Sequence, residues 1–299
     1  MNQWIRRSLL AAGAVVVAGA GIAGFGLVKA QARMDRHVAI AAYDFAIPTD
    51  AASIERGRYL FSTRGCVDCH GADGAGRAFI DDGSMRVKGA NISPGPGSVV
   101  QKYAAADWDR TLRHGVKPDG RPVLVMPSED YNRLTDVDLG ALVAYVRGLP
   151  PAAGGAAELV LPAPMRVLYG LGQIPDAASI IDHQRKPTAP VAEGATLEHG
   201  AYVSAMCIGC HGEHLSGGTI PGGPPSWPAA ANLTPGAGSV MPRYADAAAL
   251  QTMLRQGKRP DGSAIAVMPF DSFKHITDTD VAALYLYLKG LPPRAAGGR

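Results

Sequence analysis

Five residues occur twice in this chain, as Cys66-Val67-Asp68-Cys69-His70 and as Cys207-Ile208-Gly209-Cys210-His211. The two copies use all 4 cysteines. A C-x-x-C-H run is the attachment signature of c-type haem. Each thiol adds to one vinyl group, and the adjacent histidine is held beneath the iron as its proximal ligand. Other chemistries share part of the pattern. Zinc wants four ligands per site, or one site made of all four cysteines that leaves both histidines unused. A thioredoxin-like dithiol has no need of a histidine directly after its second cysteine. A disulfide across so short a loop stabilises little. The histidine is kept both times, which points to two haems c, bound through Cys66, Cys69, Cys207 and Cys210 and ligated by His70 and His211.

The surrounding sequence repeats as well. Cys66 maps onto Cys207 at an offset of 141 residues, and so does Asn91-Ile92-Ser93-Pro94-Gly95 onto Asn232-Leu233-Thr234-Pro235-Gly236. Pro118-Asp119-Gly120, Met126-Pro127 and Leu149-Pro150-Pro151 map onto Pro260-Asp261-Gly262, Met268-Pro269 and Leu291-Pro292-Pro293 at 142. One inserted residue accounts for the slip. This is a tandem duplication of one domain rather than a solenoid. The ranges expected are 1–32 for a membrane anchor or signal peptide and 33–52 for a juxtamembrane linker. The first domain then covers 53–151, an inter-domain linker 152–195, and the second domain 196–299. The linker carries apolar pieces, Leu159-Val160-Leu161 and Met165-Arg166-Val167-Leu168-Tyr169, so it is expected to pack along the domains and fix the spacing of the haems.

Each domain reads as mainly helical. A first helix over 53–65, with Ile54, Tyr59 and Leu60 as its apolar face, leads into Cys66. Residues 71–106 are rich in Gly, Asp, Ser and Pro and read as loop. Asp107 to His114 reads as a helix with Asp107 as N-cap and Gly115 past its end. Thr135 and Asp138 form a start signal for a closing helix whose face is Leu139, Leu142, Val143 and Val146. Gly148 ends that helix and Pro150-Pro151 forbid its continuation. Thr277, Asp280, Val281, Leu284, Tyr285 and Leu288 repeat the pattern.

Ser8 to Val28 is a run of 21 uncharged residues. As a helix it would span roughly 30 Å, the thickness of a bilayer core. Arg6 and Arg7 precede it, which places them in the cytoplasm and the body of the chain outside. Ala30-Gln31-Ala32 resembles a signal-peptidase site, so a cleaved signal peptide is the competing reading. The run exceeds the usual 7–15 residues of a signal core, which favours an uncleaved anchor. Either way the haem domains are exported, into a bacterial periplasm, and the anchored form sits on the inner membrane. Removing Arg6, Arg7 and Lys29 from the 29 basic residues leaves 26 against 26 acidic ones. Such a body has no basic face for nucleic acid.

A haem iron with one histidine has a second axial position, and its occupant separates electron transfer from catalysis. Met126 and Met268 stand at matching places in the repeats, each between Val and Pro. Each is expected to be the sixth ligand of its iron. Met85, Met165, Met206, Met241 and Met253 lack a partner in the other copy and read as core filler. His114 maps onto Gln256 and reads as a surface residue or one that stands behind the ligands. His37, His183, His199, His214 and His275 lack repeat partners and read as solvated or structural.

With these residues assembled, the chain resembles the class I cytochrome c family. More narrowly, it is similar to the membrane-anchored multihaem cytochrome c subunits of periplasmic dehydrogenases. The Asn-Ile/Leu-Ser/Thr-Pro loop and the run from His114 to Pro127 carry the resemblance most specifically. It implies two tandem class I cytochrome c domains and axial roles for His70, Met126, His211 and Met268. It implies an electron-transfer protein, not itself an enzyme, that takes electrons from a dehydrogenase or reductase complex toward a terminal acceptor. Two alternatives stay open at this point. One is a haem-wiring subunit of a larger respiratory or photosynthetic assembly. The other is a dihaem enzyme, peroxidase-like or thiosulfate-oxidising, if one methionine is not a ligand.

Overall fold

The computed structural model describes residues 2–83, 85–224 and 226–298. Met1 and Arg299, the outer limits of the expected ranges, lie outside them. Among the described residues the chain is mainly α-helical, with three short strands. A long helix α1 (Gln3–Met34) leads, and its most apolar window has a mean hydropathy of 2.0. At 1.5 Å per residue, its 32 residues run to about 48 Å, longer than a bilayer core.

The first domain holds α2 (Ala51–Thr63), α3 (Cys66–His70), α4 (Ala105–His114), α5 (Ser128–Tyr131) and α6 (Asp136–Arg147). Asp50 caps α2 by accepting from Ser53 N at 2.9 Å. Thr135 caps α6 by accepting from Asp138 N at 3.0 Å, as its start signal requires. Helices α2 and α6 cross at Gly57, where a Cβ would run into the Ala141 carbonyl. The close crossing packs Leu60 and Phe61 onto Leu139, Leu142 and Val143, and all five are buried. The second domain repeats this with α9 (Leu197–Ser204), α10 (Ile208–His211), α11 (Ala247–Gln256), α12 (Phe270–Phe273) and α13 (Asp278–Gly290). Here Gly200 meets the Ala283 carbonyl, and Val203 packs with Val281 and Leu284.

The structure corrects several local expectations. Ile54 is exposed, and Phe61 takes its expected place in the core. Helix α4 starts at Ala105, and Asp107 sits a turn inside it, accepting from Ala104 N at 3.0 Å rather than capping. The expected loop 71–106 contains strands β1 (Ala78–Asp81) and β2 (Arg86–Lys88). They form a hairpin completed by β3 (Glu158–Val160) from the linker, with Val87 opposite Leu159. A strand of 3 or 4 residues gives too short an alternation to read from sequence.

Neither connecting segment is a free tether. Residues 36–49 form an irregular strap along the first domain. Val38 N donates to the Gly120 carbonyl at 2.8 Å, and Gly140 of α6 leaves room for the Ala46 carbonyl. The inter-domain segment carries α7 (Ala163–Gly170) and α8 (Ala177–Ile180), and α7 packs on the C-terminal part of α1.

If Gly57 and Gly200 are what allow these crossings, Gly57→Ala and Gly200→Ala each lower stability by about 2 kcal/mol or more. Thermal unfolding of the haem-loaded protein measures this, and an unchanged midpoint would remove the close crossing as a requirement.

Candidate functional site: two attachment helices facing across a domain interface

The two C-x-x-C-H stretches form short helices, α3 and α10. Each ends at a glycine with positive φ, Gly71 at 75° and Gly212 at 80°. A residue with a Cβ resists that turn. The turn sends the chain back over the histidine, so Gly76 N reaches the His70 carbonyl at 2.8 Å and Gly217 N the His211 carbonyl at 2.9 Å. In both domains the loop also supplies a carbonyl to the ring: His70 Nδ1 donates to Ala90 O, and His211 Nδ1 to Ala231 O, each at 2.8 Å. That bond fixes the tautomer with its lone pair on Nε2, the form an iron requires. Burial also lowers the His70 pKa below its ordinary value, against the opposing bond to Ala90.

No disulfide joins the cysteines. Loss of water around the sulfur pushes the Cys66 and Cys207 thiols up to about 12 and Cys69 up to about 11. A reactive redox dithiol needs the opposite shift. Among the described residues, no group of three or more His, Cys, Asp and Glu side chains is placed to hold a metal ion. The surroundings fit a large apolar group. Cys66, Val67 and Met126 pack against the first core, and Cys207, Ile208 and Met268 against the second.

The repeated Asn-x-Ser/Thr-Pro-Gly loop is a clasp. Buried Asn91 donates from Nδ2 to the Pro96 and Ala152 carbonyls, both at 3.0 Å. Its Oδ1 accepts from Ser93 N at 2.9 Å and Ser93 Oγ at 2.8 Å. Asn232 does the same with Ala237, Arg294 and Thr234. The clasp ties the loop behind the histidine to the chain just past the closing helix. Its sequence marked the family, but the repeat alone did not reveal that mechanical role.

Met126 and Met268 precede prolines of nearly identical backbone, Pro127 at φ −78°, ψ 67° and Pro269 at φ −79°, ψ 66°. Met126 lines a cavity of about 560 Å³ together with Phe79, Met85 and Leu159. That volume lies within the range of about 300–1,000 Å³ found for cofactor sites. His70 and Cys66 are not part of the cavity wall. Ile208, Gly209 and Gly212, from the C-x-x-C-H helix of the other domain and its C-cap, also line it.

Crossed contacts join the domains. Ser272 Oγ donates to Asp68 Oδ2 at 2.7 Å, and Gly209 N donates to Asp130 Oδ1 at 2.7 Å. In each case the third residue of one C-x-x-C-H touches the short helix after the other domain's Met-Pro. Nearby, Tyr59 donates to Asp280 Oδ2 at 2.7 Å and accepts from Thr277 N at 3.2 Å. Tyr202 returns the arrangement, donating to Asp138 Oδ2 at 2.6 Å and accepting from Thr135 N at 3.3 Å. Arg56 grips Asp138 with two bonds, at 2.8 and 2.9 Å. Asp280 meets His199 Nε2 at 3.1 Å and Arg64 Nη2 at 3.0 Å, and all three residues are buried. Burial alone would raise the Asp138 carboxyl, but the Arg56 hydrogen bonds and charge, with Tyr202, hold it below 3.8.

One expectation changes and one holds. Of the two readings of His114, the surface one is overturned: the residue is buried, and its Nδ1 lies 3.1 Å from His183 Nδ1 on the linker. His199 is structural, as expected, although its partner lies in a helix start signal that the sequence displays openly. The residues that sequence reasoning missed are Tyr59, Tyr202, Arg56 and Arg64. A signal existed, because Glu55, Gly57 and Tyr59 recur as Glu198, Gly200 and Tyr202 at an offset of 143.

Comparison with known proteins adds the following. The family described as cytochrome c oxidase, cbb3-type, subunit III matches twice, over residues 52–146 and 195–288. The fructose dehydrogenase cytochrome subunit of Gluconobacter japonicus is 29% identical over 281 residues, covering 84% of this chain and 56% of that protein. The alcohol dehydrogenase (quinone) cytochrome c subunit of Gluconacetobacter polyoxogenes is 30% identical over 272 residues, covering 82% and 57%. A diheme cytochrome c-type protein of Cereibacter sphaeroides is 32% identical over 180 residues, covering 56% and 57%. The chain spans a little over half the length of these curated relatives.

The interface has a defined pH response. Because the Asp138 pKa is depressed in the folded state, its stabilisation is present above 3.8 and is lost as pH falls below that through the lower native value. Small-angle scattering from neutral pH to pH 2 should show the domains separating in that acid window, and Asp138→Asn should abolish this component of the transition. Arg64→Leu leaves Asp280 buried without a guanidinium and costs on the order of 3 kcal/mol. Arg58→Ala, which removes an exposed pair with Glu55, serves as the near-neutral control.

Proposed function

The chain belongs to the family of the cbb3-type cytochrome c oxidase subunit III, and from that premise we propose that it is a dihaem electron carrier of the bacterial periplasm. In this reading it is held to the inner membrane by α1. Its first haem is bound through Cys66 and Cys69 and ligated by His70 and Met126. Its second is bound through Cys207 and Cys210 and ligated by His211 and Met268. The ranges 53–151 and 196–299 are the two haem-bearing units. When bound, the haem supplies one-electron exchange between ferric and ferrous iron, and the protein tunes it through ligand identity and burial.

The chain's own residues do the rest. Ala90 and Ala231 hold the histidine rings in the ligating tautomer. Asn91 and Asn232 fix the loops that carry those carbonyls. A neutral thioether in the sixth position favours ferrous iron and raises the potential. If Met126 and Met268 held the haem alongside His70 and His211, the protein would leave no open position for a substrate, which suits electron transfer. The single observation that carries the reading is the doubled geometry: each domain holds the ring of its C-x-x-C-H histidine on a loop carbonyl at 2.8 Å and carries a Met-Pro of matching backbone. The relatives include cytochrome subunits of fructose and alcohol dehydrogenases. By analogy, the donor is a periplasmic dehydrogenase bound as a partner subunit, and electrons leave toward a terminal acceptor of the membrane.

The intact mass of the mature protein should show two covalent haems, and a variant with Cys66→Ala and Cys69→Ala should show one. Met126→Ala and Met268→Ala should each remove half of the methionine–iron charge-transfer band at the red edge of the oxidised spectrum and lower one of the two potentials. A full band in either variant would take that methionine out of the scheme.

A further inference from the structure

Helix α7 lies beside the last turns of the apolar run of α1. A Cβ at Gly26 would sit 2.8 Å from Val167 Cγ1, and one at Gly170 would collide with the Gly26 carbonyl. Gly26 and Ala30 are thereby buried, while most of the preceding run stays open. Farther on, Arg33 donates to the Tyr169 carbonyl at 2.7 Å, and Arg36 binds Asp176. The contacts climb both helices in the same direction, Gly26 with Val167, then Ala30 with Gly170, then Arg33 with Gly172. Helix α7 therefore begins about a turn below Gly26, level with residues that are still apolar.

That level matters because the uncharged run ends at Val28. A helix packed against Ala23–Ala30 of a membrane-spanning α1 stands where hydrocarbon gives way to headgroups. Apolar side chains stay open on α7 and at its C-cap: Leu168 is 43% exposed and Leu171 38%. The cations around it suit phosphate. Lys29 stands on α1 with its Nζ 5.6 Å from the Phe25 ring centre, and Arg166 stands on α7. Long basic side chains in such a position keep their stems in apolar surroundings and their heads at the surface. Of the acids near the end of α1, Asp176 is held by Arg33 and Arg36, and Asp35, the cap of α1, accepts from Gln31 Nε2 at 2.6 Å.

We propose that α7 is a second membrane contact, seated in the headgroup layer of the bilayer that α1 crosses, with Leu168 and Leu171 against lipid and Lys29 and Arg166 toward phospholipid phosphates. This rests on reading α1 as an uncleaved anchor. It has a consequence for the haem site. The cavity that contains Met126 is also lined by Met34 of α1 and by Met165 and Tyr169 of α7. Seating α7 in the interface places that cavity, and Met126 with it, beside the membrane surface.

The test is photo-crosslinking of the full-length, haem-loaded protein in nanodiscs of phosphatidylethanolamine and phosphatidylglycerol doped with a diazirine lipid, with labelled peptides mapped by mass spectrometry. Label is expected both within 8–28 and within 163–171. In a variant with Leu168→Asp and Leu171→Asp it should fall several-fold in 163–171 while the haem spectrum stays unchanged. Label confined to 8–28 overturns the proposal and leaves the anchor standing. Label in neither segment overturns the anchor reading and the proposal with it. An unlabelled α7 that still exchanges deuterium slowly would give the face to a second copy of the chain or another protein, and so overturn the proposal.

Discussion

Two buried aspartates hold the molecule in one piece. Asp138 and Asp280 occupy the same position in the first turns of the closing helices, and each accepts the hydroxyl of the other domain's tyrosine. Their backbone N–H groups are spent on the Thr135 and Thr277 caps, so the carboxylates are free to reach outward. A buried carboxylate without a cation would cost several kcal/mol, and here each has one guanidinium. Such a pair contributes modestly to stability compared with apolar packing of equal volume, but it penalises every docking that separates it from its partners. The relative placement of the two attachment helices follows from that penalty.

The halves are alike but not interchangeable. Helix α2 carries Arg56 where α9 carries His199, so the second domain lacks its own guanidinium for Asp280. Arg64 supplies it from the first domain, just past the end of α2. Cys66 follows Tyr59 by 7 positions and Cys207 follows Tyr202 by 5, which shifts the offset from 143 to 141 over the stretch that holds Arg64. The crossed contacts differentiate in the same sense. Asp68 faces Ser272, while its counterpart Gly209 faces Asp130. Each crossing thus holds one carboxyl. A Cβ at Gly209 would sit 3.0 Å from the Asp130 carboxylate, so the glycine is also what makes room for it. Two copies of the first domain docked this way would oppose Asp68 to Asp130, and two copies of the second would leave neither crossing with a carboxylate. In the mixed pair each carboxyl meets a donor, the Ser272 hydroxyl or the Gly209 N–H.

Much of this arrangement is legible in the residues themselves. Thr135, Gly148, Gly115 and the prolines act through the local backbone, and such signals survive in a single sequence. The cysteines, histidines and paired methionines stand out because the repeat supplies its own internal comparison. What escapes are contacts between segments far apart in the chain. Nothing local marks Tyr59 as the partner of a residue 221 positions away. The burial of His114 depends on a linker residue, His183, that has no counterpart in the repeat. Strand β3 is visible only as a short apolar piece, because its identity as a strand depends on a hairpin 70 residues earlier.

The repeat also explains where the chain is irregular. Within the domains, each helix has a counterpart that constrains it, and the structure of one half predicts the other. The strap of residues 36–49 and the segment carrying α7 and α8 have no counterpart, and both lie on the first domain or on α1. The strap is pinned at Gly120 and Gly140, and α7 is pinned at Gly26 and Gly170. The first domain is therefore fixed to α1 through two separate routes. The second domain is fixed to the first mainly through the aspartate–tyrosine pairs and the crossed contacts. A chain held in this way keeps its first C-x-x-C-H helix fixed to α1 and leaves the position of the second to a single interface, where the two aspartates are shared but their cations, Arg56 and Arg64, both come from the first domain.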